Sequence, residues 1–126
     1  MTLRPLTLED TNELKEIHRK FFSQEFEFPD FFNNYLSSFV VTDTNNEILV
    51  GGGVRVIAEA VLITNKDFSP KKRREALLTT LQASMFTSNL RGFDQLHAFV
   101  QDERWLNHLE RIGFRKSKGQ ALVIGV

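Results

Sequence analysis

Hydrophobic positions along the chain change period several times, and each change marks an element. TLRPL at the start reads as a short strand, after which Thr7 caps a helix with Glu9 and Asp10 in its first turn, where acidic groups suit the helix dipole. Leu14, Ile17, His18 and Phe21 then recur at helical spacing and form one apolar stripe. A second short helix is predicted from Pro29, with Phe32, Tyr35, Leu36 and Phe39 inward. FVVTD, the turn TNNE and ILVGGGVRVI alternate as an antiparallel hairpin, and the run Gly51, Gly52, Gly53 inside it signals a bulge or a close backbone approach. AEAVLIT is the next predicted strand.

From Ser69 the punctuation is sharper. Ser69 and Pro70 form a cap and a first turn, Leu77, Leu78, Leu81 and Met85 make one face of a long helix, and Gly92 stops it. FDQLHAFV reads as a strand with Leu96, Ala98 and Val100 on one face and Gln95, His97 and Phe99 on the other. Asp102 caps a further helix whose inward side carries Trp105, Leu106, Leu109 and Ile112, Gly113 ends it, and QALVIGV is the closing strand. The predicted order is strand, two helices, three strands, helix, strand, helix, strand, a mixed α/β domain over residues 1–126.

Composition narrows the function classes. The chain has 126 residues, one domain's worth, with sixteen basic residues against sixteen acidic ones. With no net field, any anion site must be local, and nucleic-acid binding through Lys71–Arg74 with Arg111, Arg115, Lys116 and Lys118 is disfavoured. There is no cysteine, which removes disulfides, thiolate nucleophiles and thiolate metal ligands and fits a reducing, cytoplasmic setting. No metal site is expected, and neither a membrane span nor a secretory signal is evident. Twelve phenylalanines, concentrated in FFSQEFEFPDFFNNY, are read first as core, with an acceptor-pocket wall or a dimer patch as alternatives.

One local feature asks for an explanation. In SPKKRREALLTTL, Lys71, Lys72, Arg73 and Arg74 crowd the positive end of the helix dipole, at a cost of roughly 0.3–1 kcal/mol each before screening. Either the turn is simply solvated, or an anion sits there.

The element order, together with two motifs, resembles the GNAT superfamily of acyl-CoA-dependent N-acyltransferases. VQDERWLNHLERIGFR is similar to that family's penultimate helix with its Gly-Phe ending, here Gly113 and Phe114. SPKKRREALLTTL is similar to its cofactor loop, in which a proline three residues before an arginine precedes Q/R-x-x-G-x-G/A. The resemblance implies a mixed, mostly antiparallel central sheet flanked by about four helices. It also implies acetyl-CoA as cofactor, a small-molecule or peptide amine as acceptor, and direct transfer between them. Laid on Pro70, the signature begins at Arg73, its first glycine becomes Ala76 and its second small position Leu78, so the implied cofactor-binding set is Phe68, Lys71, Lys72, Arg73, Arg74, Ala76, Leu78 and Asp102. Arginine would offer a fork and lysine a point charge to phosphate. The tyrosine of the family's Y-x-x-x-G-F is Leu109 here, and the asparagine seven residues earlier is Asp102, with Trp105 between them.

Acyl transfer needs a neutral amine, which for a lysine-like acceptor of pKa about 10.4 costs about 4–5 kcal/mol at neutral pH. A base offsets that cost. Glu59 falls where some GNAT relatives carry a basic glutamate, and His97 on the following strand offers an imidazole; His108 is a third candidate. For each, an exposed or packed structural role stands beside the catalytic one. The alternative to an enzyme is a catalytically inactive GNAT-fold protein that binds or assembles, and the closing strand and the aromatics leave a homodimer open.

Overall fold

A computed structural model describes all 126 residues. The chain divides into two compact units, residues 1–30, 39–51 and 100–126 in one and residues 31–38 and 52–99 in the other. Strands β1 (Thr2–Pro5), β2 (Tyr35–Thr42) and β3 (Ile48–Arg55) form an antiparallel sheet in the order β1-β2-β3, so β2 and β3 each give residues to both units. The hairpin between β2 and β3 is closed locally. Asp43 accepts at Oδ1 from the amides of Asn45 and Glu47, both at 2.9 Å, and Asn46 takes the left-handed φ of 60° that its short amide side chain tolerates. The architecture is α/β, with helices α1 (Thr11–Phe21), α2 (Pro70–Leu90) and α3 (Glu103–Arg111). No helix is long and apolar enough to cross a membrane.

In the first unit the core gathers Leu6, Leu14, Val40, Ile48 and Leu109, all buried. Its N-terminal side is clamped by an ion pair. Arg4 reaches Asp10 with both terminal nitrogens, at 2.8 and 2.7 Å, and the amide and hydroxyl of Thr7 donate to Asp10 Oδ2 at 2.8 and 3.1 Å. Asp10 closes a single turn of 3₁₀ helix (Leu8–Asp10) that leads into α1, so Thr7, Glu9 and Asp10 mark the helix entry as their types predict. Along α1, Glu13 turns back to accept from the amide of Ile48 at 3.1 Å, and His18 lies edge-on to Phe26 and Phe28 with its Nε2 2.6 Å from the Phe26 carbonyl. Helix α3 is capped by Asp102, whose Oδ1 accepts from the Arg104 amide at 2.9 Å. It ends at Gly113, φ 112°, where the Phe114 amide returns to the Leu109 carbonyl.

The second unit is organised by α2 and by a parallel pair, β4 (Ala58–Glu59) with β5 (Leu96–His97). Ser69 is extended (φ −61°, ψ 153°), its Oγ accepts from the Lys72 amide at 3.3 Å, and Pro70 opens the helix with a φ already suited to it. Gly92 at φ 84° turns the chain out, and the Phe93 amide bonds the Ser88 carbonyl. Leu77 and Leu81 are the buried positions of α2.

The sequence expectation needs correcting in four places. No helix begins at Pro29: Asn34 adopts φ 58°, and Tyr35, Leu36 and Phe39 belong to β2, because the ladder with β1, running to Pro5↔Phe39, outweighs a helical spacing of four apolar residues. The count of helices is therefore three rather than four. AEAVLIT and FDQLHAFV keep only two paired residues each, and QALVIGV is not a strand: Leu122, Val123 and Ile124 stand exposed, since β-propensity without a neighbouring ladder leaves backbone groups better served by water. On α2, Met85 is 59% exposed and Leu78 also lies on the open side, because the covered strip is narrow and runs through 77 and 81 in steps of four. The triple glycine does mark close approach. A Cβ on Gly53 would strike the Ser37 carbonyl oxygen and come within 2.9 Å of Ser38 Cα, and one on Gly51 would press on the Leu14 side chain.

Candidate anion-binding and acyl-transfer site

The site builds from the second unit alone. Following β4, residues 61–65 leave the ladder and run beside the first half of α2, and a cavity of about 800 Å³ lies between them. Its wall is apolar at Leu62 and Leu77 and cationic at Lys72 and Arg73, while Val61 and Ile63 contribute to its rim and stand largely in solvent. Arg73 sits one turn before Leu77, so the narrow covered strip of α2 that buries Leu77 also draws the arginine inward. Its Nε is buried and has no hydrogen-bond partner. A buried unpaired donor of this kind costs about 1–3 kcal/mol, more when charged, unless a ligand completes it.

The start of α2 leaves few free amides for an anion. Pro70 has no N–H, the Lys72 amide is taken by Ser69 Oγ, and the Arg73 amide by the Ser69 carbonyl at 3.0 Å. No acidic residue lies in that turn. An anion arriving there is met chiefly by Lys72 and Arg73. Lys72 also stands over the Phe68 ring, its Nζ 5.8 Å from the centroid, and Glu75 adds a carboxylate to the wall.

Of the residues singled out from sequence, Phe68, Lys72, Arg73 and Ala76 line this cavity. Lys71, Arg74 and Leu78 are exposed on other faces of α2 and are not part of its wall. Asp102 is engaged as the cap of α3 in the first unit. There Trp105 and His108 stack on each other, centroids 5.6 Å apart and planes at 20°, so His108 is partly covered rather than free in solvent.

Glu59 and His97, thirty-eight positions apart in sequence, are register partners across the parallel pair. Partners in a ladder project from the same face. The ladder is pinned just beyond them, where the Ala60 amide donates to the His97 carbonyl at 2.8 Å. Glu59 is exposed, His97 is half-buried, and His97 Nδ1 is buried without a partner. A carboxylate and an imidazole are each able to accept a proton, although neither Glu59 nor His97 lines the cavity and no hydrogen bond joins them. The site also includes a part that sequence reading missed. Residues 61–65 and Glu75 line the cavity, and the only signal for the former was an apolar run read as strand.

No group of His, Asp or Glu side chains is gathered to hold a metal ion. Comparison of the chain with protein-family models, with curated proteins and with solved structures gives no match.

Proposed function

We propose that the protein is an N-acetyltransferase of the GNAT type, taking acetyl-CoA and passing its acetyl group directly to the amine of a small molecule or peptide. The observation that carries this reading is the pairing of Lys72 with Arg73, whose Nε is buried and unpartnered, along a cavity that Leu62 and Leu77 make apolar. A ligand with phosphates at one end and an extended, partly apolar arm suits both parts, and coenzyme A, whose pantetheine arm alternates methylene and amide groups, has that form. The parallel pairing of β4 with β5, with α2 between them in sequence, agrees with the GNAT order of strand, cofactor helix and strand.

Each residue then has a stated task. Arg73 and Lys72 hold phosphate oxygens by charge-assisted hydrogen bonds, and Leu62 with the buried Leu77 gives the arm apolar contact. Acetyl-CoA, when bound, supplies an acetyl thioester already activated toward an amine. Glu59 or His97, which share one strand face, takes the proton that the acceptor ammonium must lose. With no cysteine in the chain, no cysteinyl acyl-enzyme is available and the amine attacks directly, its N–C bond forming as the thioester C–S bond breaks, with the second amine proton going to the departing thiolate.

Thermal shift tests binding and a pair of substitutions tests chemistry. Acetyl-CoA at one hundred times its Kd should stabilise the fold by about 2.7 kcal/mol, or about 10 °C at about 4 °C per kcal/mol for a chain of this length. Arg73→Glu should erase the shift. In transfer assays over an amine panel, Glu59→Gln and His97→Ala should lower kcat while leaving the cofactor shift intact. No shift at millimolar acetyl-CoA would instead favour a non-catalytic binding protein, a reading supported by the exposed rings of Phe21 and Phe26 in the first unit and of Phe32 and Phe86 in the second.

A further inference from the structure

Phe68 is the one large apolar residue in the polar run from Asn65 to Ser69, and it does not retreat into the core: 53% of it remains exposed. Its ring forms part of the cavity wall where α2 begins, beside Lys72 and Arg73, with the Lys72 ammonium 5.8 Å from its centroid. A bare phosphate would use the two cations and leave the ring in water. A purely apolar ligand would use the ring and leave the cations without an anion. A ligand that carries a planar base one sugar away from its phosphates satisfies all three side chains together, because aromatic rings stack on any base and a nearby cation strengthens such a stack.

We infer that Phe68 is the platform on which the purine of the cofactor stacks, so that the site selects the nucleotide half of coenzyme A as well as its pantetheine arm. This rests on the acyl-CoA reading above. Phe68 is a binding residue here, not a catalytic one, and its contribution belongs to affinity for the adenosine portion alone.

The test is calorimetric titration of wild type, Phe68→Leu and Phe68→Trp with coenzyme A, with adenosine 3′,5′-bisphosphate and with 4′-phosphopantetheine. Leucine keeps the apolar volume and removes the π face; tryptophan restores a face. Loss of about fivefold to tenfold in affinity for coenzyme A and the bisphosphate in Phe68→Leu, with phosphopantetheine unchanged and tryptophan restoring both, is the expected result. Equal loss for all three ligands, or no loss for any, overturns the platform. If wild type binds the bisphosphate in a Phe68-dependent way but not coenzyme A, the platform stands and acyl transfer fails. If wild type binds none of the three, both fail.

Discussion

Truncating Leu81 and truncating Met85 separate what the helix buries from what its sequence period suggests. Both residues fall on the apolar stripe read from spacing, yet Leu81 is 4% exposed and Met85 59%. Leu81→Ala removes three buried carbons, about 2.4 kcal/mol at about 0.8 kcal/mol per methylene. The cavity left behind raises the total to about 3–4 kcal/mol, inside the usual range for Leu→Ala in a core. At about 4 °C per kcal/mol the melting temperature should fall by about 12–16 °C. Met85→Ala, whose side chain already meets water, should cost about 1 kcal/mol or less. Urea denaturation measures both, with unchanged m values indicating that the unfolded reference is common to the two variants. Equal losses in the two variants would show that α2 is covered on a broader face than the structure has, and would refute the packing argument. The outcome reaches function because Leu77, one turn from Leu81, is both core and cavity wall.

Other expectations follow from local geometry. Hydrogen bonds from Arg4 hold the Asp10 carboxyl well below the usual carboxylate range; burial opposes this and the Thr7 amide and hydroxyl add to it. A depressed carboxylate contributes stability that is complete above its unfolded pKa of about 3.9 and is lost as pH falls through its folded value. The melting temperature of wild type should therefore drop as pH falls below about 4, and that of Asp10→Asn should start lower and depend less on pH; parallel curves would contradict the linkage. At the triple glycine, Gly53→Ala should destabilise by about 1–3 kcal/mol because the new methyl meets the Ser37 and Ser38 backbone, whereas Gly52→Ala, with open space around it, should be near neutral. Denaturation midpoints of the two variants decide this, and equal effects would remove the close-approach argument.

Features written within a few residues were legible from the chain alone. Thr7, Ser69 with Pro70, Gly92, Asp102 and Gly113 mark helix boundaries where the structure has them, because a cap is satisfied by amides next to it in sequence. The cationic turn at Lys71–Arg74 was visible in the same way, although which of its four side chains face a cavity was not. That depends on the direction in which α2 is covered, and only Lys72 and Arg73 line the wall. Pairing was the other thing the chain alone left open. Tyr35–Phe39 joined a strand, QALVIGV did not, and Glu59 came to lie opposite His97, because a ladder depends on a partner distant in sequence whose register no local pattern encodes. Caps and charge runs were thus determined residue by residue, while the face of α2 that is buried and the register that sets Glu59 opposite His97 were decided by tertiary packing, where burial and backbone pairing outweigh local preference.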